Sequence, residues 1–293
     1  MENKKVLGHI AAFITILIWG TTFISTKILL NDFKPLEILF FRFVIGFAAL
    51  EIIYPKRFNI KGVRQEMTFA AAGLCGICLY YLLENVALTY TLASNVGVII
   101  SAAPLFTAIL AHIFFKGEER LSSCFIFGFI TAMIGICLIG FNGKNLEVKP
   151  VGDILALIAA LVWALYSLLT KKISSYGYNT IQVTRRIFMY GIVFMLPLLF
   201  IFNFEWNFVR FIKPVNFVNL LFLGLGASAL CFVTWNYAVK ILGAVNTSAY
   251  IYVVPVITIV TSVIVLSEKI TVMTIIGTAL TLIGLFISEG REK

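Results

Sequence analysis

The feature that most constrains this chain is a succession of long apolar runs separated by short polar stretches. The first run extends from about Leu7 to Leu30, and about nine more follow it. An α-helix needs about 20 apolar residues to cross the hydrocarbon core of a bilayer. Irregular backbone is excluded from that core because its polar groups would have no hydrogen-bond partner. The chain is therefore predicted to be an all-α integral membrane protein.

Runs of this length predict about ten transmembrane helices. Their approximate limits are 7–30, 35–54, 67–90, 94–115, 122–141, 152–173, 180–202, 216–239, 244–266 and 271–288. Hydrophobic residues make up 60% of the 293 residues and charged residues only 13%, and mean hydropathy is +1.00. Soluble domains carry about 25% charged residues. No independent soluble domain is expected, so the function is expected to lie within the membrane part.

The basic residues predict an orientation rather than a nucleic-acid partner. The net charge is +9, but lysines and arginines are spread over short loops instead of forming one basic face. Cytoplasmic loops of membrane proteins carry the excess of basic residues. This rule predicts a cell (plasma or inner) membrane protein with both termini and the following residues in the cytoplasm: Lys4, Lys5, Lys56, Arg57, Lys61, Arg64, Lys116, Arg120, Lys171, Lys172, Lys240, Arg291 and Lys293. The loop around Lys144 to Lys149 is expected on the opposite side.

Several chemistries find no support in the residues. Five cysteines, all in apolar segments, are an odd number and do not indicate a disulfide framework. The sequence has no G-x-x-x-x-G-K-[ST] motif, so a nucleotide-driven pump is not expected. His9 and His112 lie on different spans and do not form the polar cluster that a membrane enzyme needs. We expect no enzyme activity, no cofactor and no metal.

The second half of the chain repeats the first. Three blocks align in the same order: Trp19 to Lys27 and Arg42 with Trp163 to Lys171 and Arg186; Asn85, Asn95 and Pro104 with Asn236, Asn246 and Pro255; Glu119, Gly128 and Gly135 with Glu268, Gly277 and Gly284. The predicted repeats are residues 1–145 and 146–293, with five helices each. An odd number of spans inserts the second repeat in the opposite orientation. Inverted repeats around a central cavity are typical of secondary transporters.

The repeated motifs resemble those of EamA-type transporters of the drug/metabolite transporter superfamily. They are Ile18-Trp19-Gly20, Arg42, Ala87 to Ser94 leading into Pro104, Gly117 to Leu121 before Gly128 and Gly135, and in the second half Pro255 to Thr258 and Ser267 to Ile270. The resemblance implies a cavity bordered by helices one, three, four, six, eight and nine, and export or exchange of amino acids and related metabolites. The spacing from Pro104 differs from that after Pro255, which leaves Glu118 and Glu119 as alternatives for the family's acidic residue.

Aromatic and amide side chains within the spans are the candidate substrate-binding residues. The aromatic candidates are Trp19, Tyr80, Tyr81, Trp163, Tyr166, Trp235 and Tyr250, and the amide candidates are Asn85, Asn95, Asn236 and Asn246. Each aromatic ring could instead pack between helices or against lipid. Each amide could instead bond to a neighbouring helix, and Asn95 and Asn246 stand where helix capping competes.

Two prolines near the middle of spans four and nine predict kinks. Pro104 and Pro255 each remove one backbone hydrogen bond, so each is interpreted as a hinge or cavity wall, with a static kink as the alternative. Ser101 could satisfy backbone freed by Pro104 and is also a candidate substrate-binding residue.

Glu84 and Arg42 are predicted to form a functional ionisable pair. Both lie roughly 10 Å below the outer ends of their helices, because each residue adds about 1.5 Å. Charges inside a membrane are costly unless they are paired or face water. The alternatives to substrate or proton binding are a static salt bridge or two separate side chains that each extend to the headgroups.

The sequence therefore predicts a secondary active or facilitative transporter of a small polar metabolite, most simply an amino acid exporter that works by alternating access. The partners expected are the lipid bilayer, a small-molecule substrate and, as a candidate coupling ion, the proton. A polytopic membrane enzyme or a channel is the alternative.

Overall fold

The computed structural model describes residues 2–56, 58, 60, 62–114, 123–140 and 150–289. Within these residues, helices are the only regular secondary structure. We number its ten helices α1 to α10 in chain order. They are Glu2–Leu29, Pro35–Ile53, Val63–Tyr90, Ala93–Phe114, Ser123–Gly140, Pro150–Ser174, Thr180–Ile201, Pro214–Leu242, Ala244–Leu266 and Val272–Glu289. The predicted all-helical fold is therefore confirmed.

Seven of these helices are long and apolar enough to cross a membrane. The other three are α2, α5 and α10. Helix α2 has 19 residues and carries Glu37, Arg42 and Glu51, while α5 and α10 have 18 residues each, which at about 1.5 Å per residue gives roughly 27 Å. The predicted Glu118, Glu119 and Lys144 to Lys149 lie outside the described residues, as do Arg57, Lys61, Lys116, Arg120, Arg291 and Lys293.

Ion pairs tie together the corners at one end of the bundle, which we call the upper end. Arg210, in the segment between α7 and α8, lies 2.7 Å from Glu37 at the start of α2, and Glu37 is fully buried. Lys213 pairs with Asp32 in the α1–α2 corner at 2.6 Å. The hydrogen bonds from Lys213 and Asn216 hold the pKa of the Asp32 carboxyl below its ordinary value. The α1–α2 and α7–α8 corners are thus joined.

The equivalent pair of corners, α6–α7 and α2–α3, meets at the opposite, lower end. Arg185 of α7 donates to the backbone oxygens of Tyr54 and Lys56, just beyond α2, at 2.6 and 2.7 Å. Tyr178, between α6 and α7, donates to Gln65 of α3 at 2.7 Å. The α1–α2 corner therefore lies at the upper end and its repeat partner, the α6–α7 corner, at the lower end. This arrangement is the inversion that the odd number of helices predicts.

The third and fourth helices of each repeat are interrupted at equivalent positions. Helices α3 and α8 each contain a π-helical segment, Leu74–Leu79 and Phe222–Leu230. Helix α4 is broken by a turn at Ser101 and Ala102, and α9 passes through a 3₁₀ segment, Ala249–Val253, before Pro255. Such interruptions frequently mark functional sites. They bring the irregular backbone of both repeats to the middle of the bundle.

Helices α5 and α10, the last helices of the two repeats, pack against each other through glycines. A Cβ atom added to Gly135 would lie 2.5 Å from the carbonyl oxygen of Gly277 and from the backbone nitrogen of Thr281. Gly284 faces the backbone of Gly128 and Ala132 in the same way. Small residues let membrane helices approach this closely, so these glycines serve helix packing.

Adding one methyl group to this contact is expected to destabilise the protein. Because two of the three atoms that obstruct a Cβ at Gly135 are backbone, Gly135→Ala should cost about 1–3 kcal/mol through overpacking and lower the melting temperature in detergent. Gly226→Ala is the matched control, since its added Cβ would meet Phe222 at an ordinary 3.6 Å. Equal melting temperatures for the two variants would contradict the close packing of α5 and α10.

Candidate functional site

A cavity lies between the two repeats at the level of the broken helices. It is small, with a volume of about 30 Å³, and is lined by Trp19, Thr22, Phe23, Tyr80, Tyr81, Glu84, Ile100, Trp163, Ile251 and Val254. Helices α1, α3, α4, α6 and α9 supply this lining. The expectation that helix eight also borders the cavity is not met, because its rings are stacked behind the wall.

The repeat places residues on the wall in equivalent pairs. Trp19 of α1 and Trp163 of α6 meet edge to face with ring centroids 5.2 Å apart. Ile100 and Ile251 stand four residues before Pro104 and Pro255. Proline has no N–H, so it cannot make the helical hydrogen bond to the carbonyl four residues earlier. Ile100 of α4 and Ile251 of α9 therefore line the cavity at the points where the regular helical hydrogen bonding of these two helices is interrupted.

Helix periodicity explains which other residues reach the wall. Trp19, Thr22 and Phe23 are spaced by three and four on α1 and so share one face. Tyr80 and Glu84 are one turn apart on α3, immediately after its π-helical segment, and the Tyr80 hydroxyl lies beside the Glu84 carboxyl.

A cluster of aromatic rings forms the floor behind this wall. Trp235 is fully buried, with its ring 5.0 Å from Trp19 and 6.1 Å from Trp163. Tyr80 lies 4.8 Å from Trp163. The Trp19 indole donates to the carbonyl oxygen of Ala227 at 2.9 Å, whereas the Trp163 indole nitrogen is buried without a hydrogen-bond partner. The predicted aromatic residues except Tyr250 are thus brought together, although Trp235 does not line the cavity.

Glu84 and Arg42 are both buried, at 1% and 0% exposure, but no ion pair joins them among the described residues. Arg42 turns towards α8 and donates from Nε to Ser228 at 3.1 Å. Its guanidinium carbon lies 4.3 Å from the centre of the Tyr81 ring. Neither terminal nitrogen of Arg42, nor Oε1 of Glu84, has a hydrogen-bond partner. The structure therefore corrects the alternative of a direct, static salt bridge.

The four predicted asparagines do not line the cavity. Asn85 donates to the Pro35 carbonyl at 3.0 Å. Asn236 donates to Thr184 and accepts from Tyr166, both at 3.0 Å, which also places the Tyr166 hydroxyl away from the cavity. Local bonds hold the other two: Asn95 donates to Thr91 at 3.2 Å and Asn246 to the Leu242 carbonyl at 3.0 Å. These contacts match the alternative of structural hydrogen bonds.

Two further predicted residues lie outside the wall. Tyr250 hydrogen-bonds through its hydroxyl to His9 Nδ1 at 2.7 Å, joining α9 to α1. Ser101 is fully buried in the turn before Pro104 and donates to the Val98 carbonyl at 2.5 Å. Ser101 thus satisfies backbone beside the proline, as the sequence suggested.

Five lining residues were not among the candidates: Thr22, Phe23, Ile100, Ile251 and Val254. A signal existed for most of them. Thr22 and Phe23 follow Trp19 at helical spacing, and Ile100 and Ile251 occupy the position four residues before each mid-span proline. Their apolar or small side chains gave no chemical reason to select them.

Above the cavity, α1 and the α9–α10 corner hold the corner between α3 and α4. Lys27 of α1 donates to the carbonyl oxygens of Leu88 and of Thr91, the latter at 2.9 Å. Glu268 accepts from the backbone nitrogens of Ala93 and Ser94 at 2.9 and 3.3 Å and from the Ser94 hydroxyl at 2.8 Å. A cation thus meets a helix C-terminus and an anion a helix N-terminus, as the helix dipoles favour. We call these contacts the upper clamp.

The cavity shows no grouping typical of a metal centre. Within the described part of the chain, no three His, Cys, Asp or Glu side chains are grouped as metal ligands.

Comparison with known proteins gives a match along nearly the whole chain. The model of the EamA-like transporter family matches residues 6–141 and again 150–289. An "uncharacterized transporter" of Archaeoglobus fulgidus is 28% identical over 296 residues, covering 99% of both chains. A "probable terminal-alkyne amino-acid exporter" of Streptantibioticus cattleyicolor is 27% identical over 285 residues, covering 96% of this chain and 93% of that protein.

A solved crystal structure shares the fold. Its TM-score against this chain is 0.67, with 98% of both chains covered and 19% sequence identity.

Proposed function

Because the chain belongs to the EamA-like transporter family, we propose that it is a secondary carrier that exports or exchanges a small polar metabolite, an amino acid or a related compound, by alternating access. The observation that carries the proposal is the cavity at which two inverted repeats place their broken helices. Secondary transporters bind substrate at such interrupted helices near the middle of the membrane. The relative described as a probable terminal-alkyne amino-acid exporter supports the substrate class.

The interrupted helices supply the parts that alternating access needs. Pro104 and Pro255 divide α4 and α9 at the wall of the cavity, so either half of each helix can tilt about the break without unfolding the other. The π-helical segments of α3 and α8 provide a second pair of irregular points at equivalent positions. We propose that these four points are the hinges.

The upper clamp is proposed as the closure on one side. Glu84 lies one turn before Leu88 on α3, so the corner held by Lys27 and Glu268 stands directly above the cavity. A path upward must separate this corner from α1 or from the α9–α10 corner. By the positive-inside rule the upper end is assigned to the extracytoplasmic side.

Purified protein in liposomes is expected to exchange amino acids in a saturable and stereoselective manner. Trp19→Ala and Trp163→Ala should each lower transport at least tenfold, because each removes a large part of the cavity wall. Trp206→Ala is the matched control, since Trp206 is 60% exposed at the upper end. Counterflow of a labelled amino acid mixture measures the effect.

Two outcomes of this experiment would contradict the proposal. Flux that rises linearly with concentration and shows no counterflow indicates a channel. Transport that survives both cavity substitutions at normal protein levels would remove the aromatic cavity from the substrate path.

Weakening the upper clamp is expected to open the cavity upward. Glu268→Gln removes the charge from three hydrogen bonds, and hydrogen bonds to charged groups contribute about 1.5–3 kcal/mol each. The test uses protein whose native cysteines are replaced and which carries Thr22→Cys. Adding Glu268→Gln should accelerate labelling of this position several-fold by an impermeant maleimide supplied at the upper end. Glu205→Gln is the control, because its 2.6 Å pair with Lys34 is exposed and does not hold the α3–α4 corner. Equal acceleration by both variants would contradict the clamp.

The proposed orientation is tested separately. Tags at the two ends of the chain should both be accessible from the cytoplasm, and a tag in the loop around Lys144 to Lys149 only from outside. Termini on opposite sides would rule out ten spans.

A further inference from the structure

The cavity wall contains a single carboxyl group. Glu84 is the one ionisable acid among the ten lining residues, and none of them is Lys, Arg or His. Its side chain is 1% exposed, and Oε1 is buried without a hydrogen-bond partner. An unpartnered carboxylate oxygen at this depth is costly. The cost is recovered when a donor of opposite charge enters the cavity.

Two other polar atoms of the lining residues keep acceptor capacity. The Thr22 hydroxyl donates its hydrogen to the Trp19 carbonyl at 2.8 Å, which leaves its oxygen lone pairs. The Ile251 carbonyl accepts the Val254 N–H in place of the absent proline N–H, and a carbonyl oxygen has a second lone pair. These atoms favour a ligand group that carries several donor hydrogens.

The aromatic wall favours the same kind of group. Tyr80, Trp19 and Trp163 enclose the cavity beside Glu84. The face of an aromatic ring carries negative charge density and attracts ammonium groups. Glu84 together with these rings therefore resembles the surroundings in which proteins hold an alkylammonium ion.

Arg42 does not compete for the carboxylate from within the cavity. It is not among the lining residues; its guanidinium lies over the Tyr81 ring, and its Nε is bonded to Ser228. It is nevertheless near enough to Glu84 to interact electrostatically. A cation behind the wall stabilises a charged carboxylate in the membrane and leaves its front free. Arg42 is thus a positioning residue and Glu84 the binding residue.

We infer that the cavity binds the protonated amino group of its cargo, with Glu84 as the counter-ion, and that a carboxylate on the cargo is dispensable. The inference rests on the proposed carrier function and narrows its substrate class to primary amines, amino acids included. The Trp163 indole, which has no partner, is available to donate to a carbonyl or carboxylate oxygen where the cargo has one. Loss of the amine charge should therefore abolish binding, and loss of the carboxylate should not.

Three ligands with the same side chain test this inference on the unaltered protein. They are phenethylamine, a cation; phenylalanine, a zwitterion; and N-acetylphenylalanine, an anion. Ethylamine, alanine and N-acetylalanine repeat the series for a small side chain. Binding is measured by quenching of the tryptophan fluorescence of the cavity cluster and by the rise in melting temperature that a ligand of the folded state produces. The amines and amino acids of at least one series should bind, and the N-acetyl compounds should bind at least tenfold more weakly.

Glu84→Gln should remove the preference for the charged amine, weakening phenethylamine binding at least tenfold. Glu205→Gln should leave it unchanged. Tighter binding of the N-acetyl compounds than of the amines, or no binding of any amine, overturns the inference. Counterflow keeps the two proposals apart. If N-acetyl compounds bind and are exchanged, the carrier stands and the ammonium site is wrong, whereas ligand binding without any exchange refutes the carrier.

Discussion

The structure depends on satisfying the hydrogen bonds of backbone N–H and C=O groups in the membrane interior, where no water can reach them. Pro104 and Pro255 each take one donor out of a membrane helix, and in a lipid-facing helix the carbonyls so deprived would be costly. Both prolines are buried, and the irregular turns before them are covered by α1, α6 and α3. Ser101 satisfies the Val98 carbonyl at one break, and a 3₁₀ turn replaces the missing bond at the other. Broken helices are tolerated because they lie together, and the space between them is the cavity.

The two repeats share their helix interruptions and differ at the proposed binding residue. The proposed hinge positions, the tryptophans of the first helices and the glycine contacts occur in equivalent pairs. The equivalent of Glu84 is Trp235, which is packed behind the wall. A scaffold that opens to either side needs equivalent halves, whereas recognition of one small ligand needs a single set of contacts. Divergence at this pair of positions separates the two requirements.

Much of the fold could be predicted because its causes are local or periodic. Apolar runs give the helices, and the repeat gives their inversion, since an odd count leaves no other choice. The side-chain partners could not be predicted in the same way. Asn236 bonds to Tyr166 and Thr184, and nothing in the spacing of these residues indicates that three helices bring them together. Amides and aromatic rings serve cavities and helix contacts equally well, so their presence in a span does not distinguish the two.

The side-chain directions of Glu84 and Arg42 could not be predicted from the sequence. Counting residues from the helix ends places both at one depth, but depth leaves the direction around the helix axis undetermined. The π-helical segment of α8 presents Ser228 to Arg42, so the guanidinium points to α8 and the carboxylate to the cavity. This arrangement also connects a proposed hinge to the proposed site. A change in the π-helical turn would shift Ser228, then the guanidinium that is bonded to it, and then the charge near Tyr81 and Glu84. On the proposed mechanism, the affinity of the cavity for a cation would therefore differ between two states of this turn, which is the differential interaction that coupling a conformational change to a ligand requires.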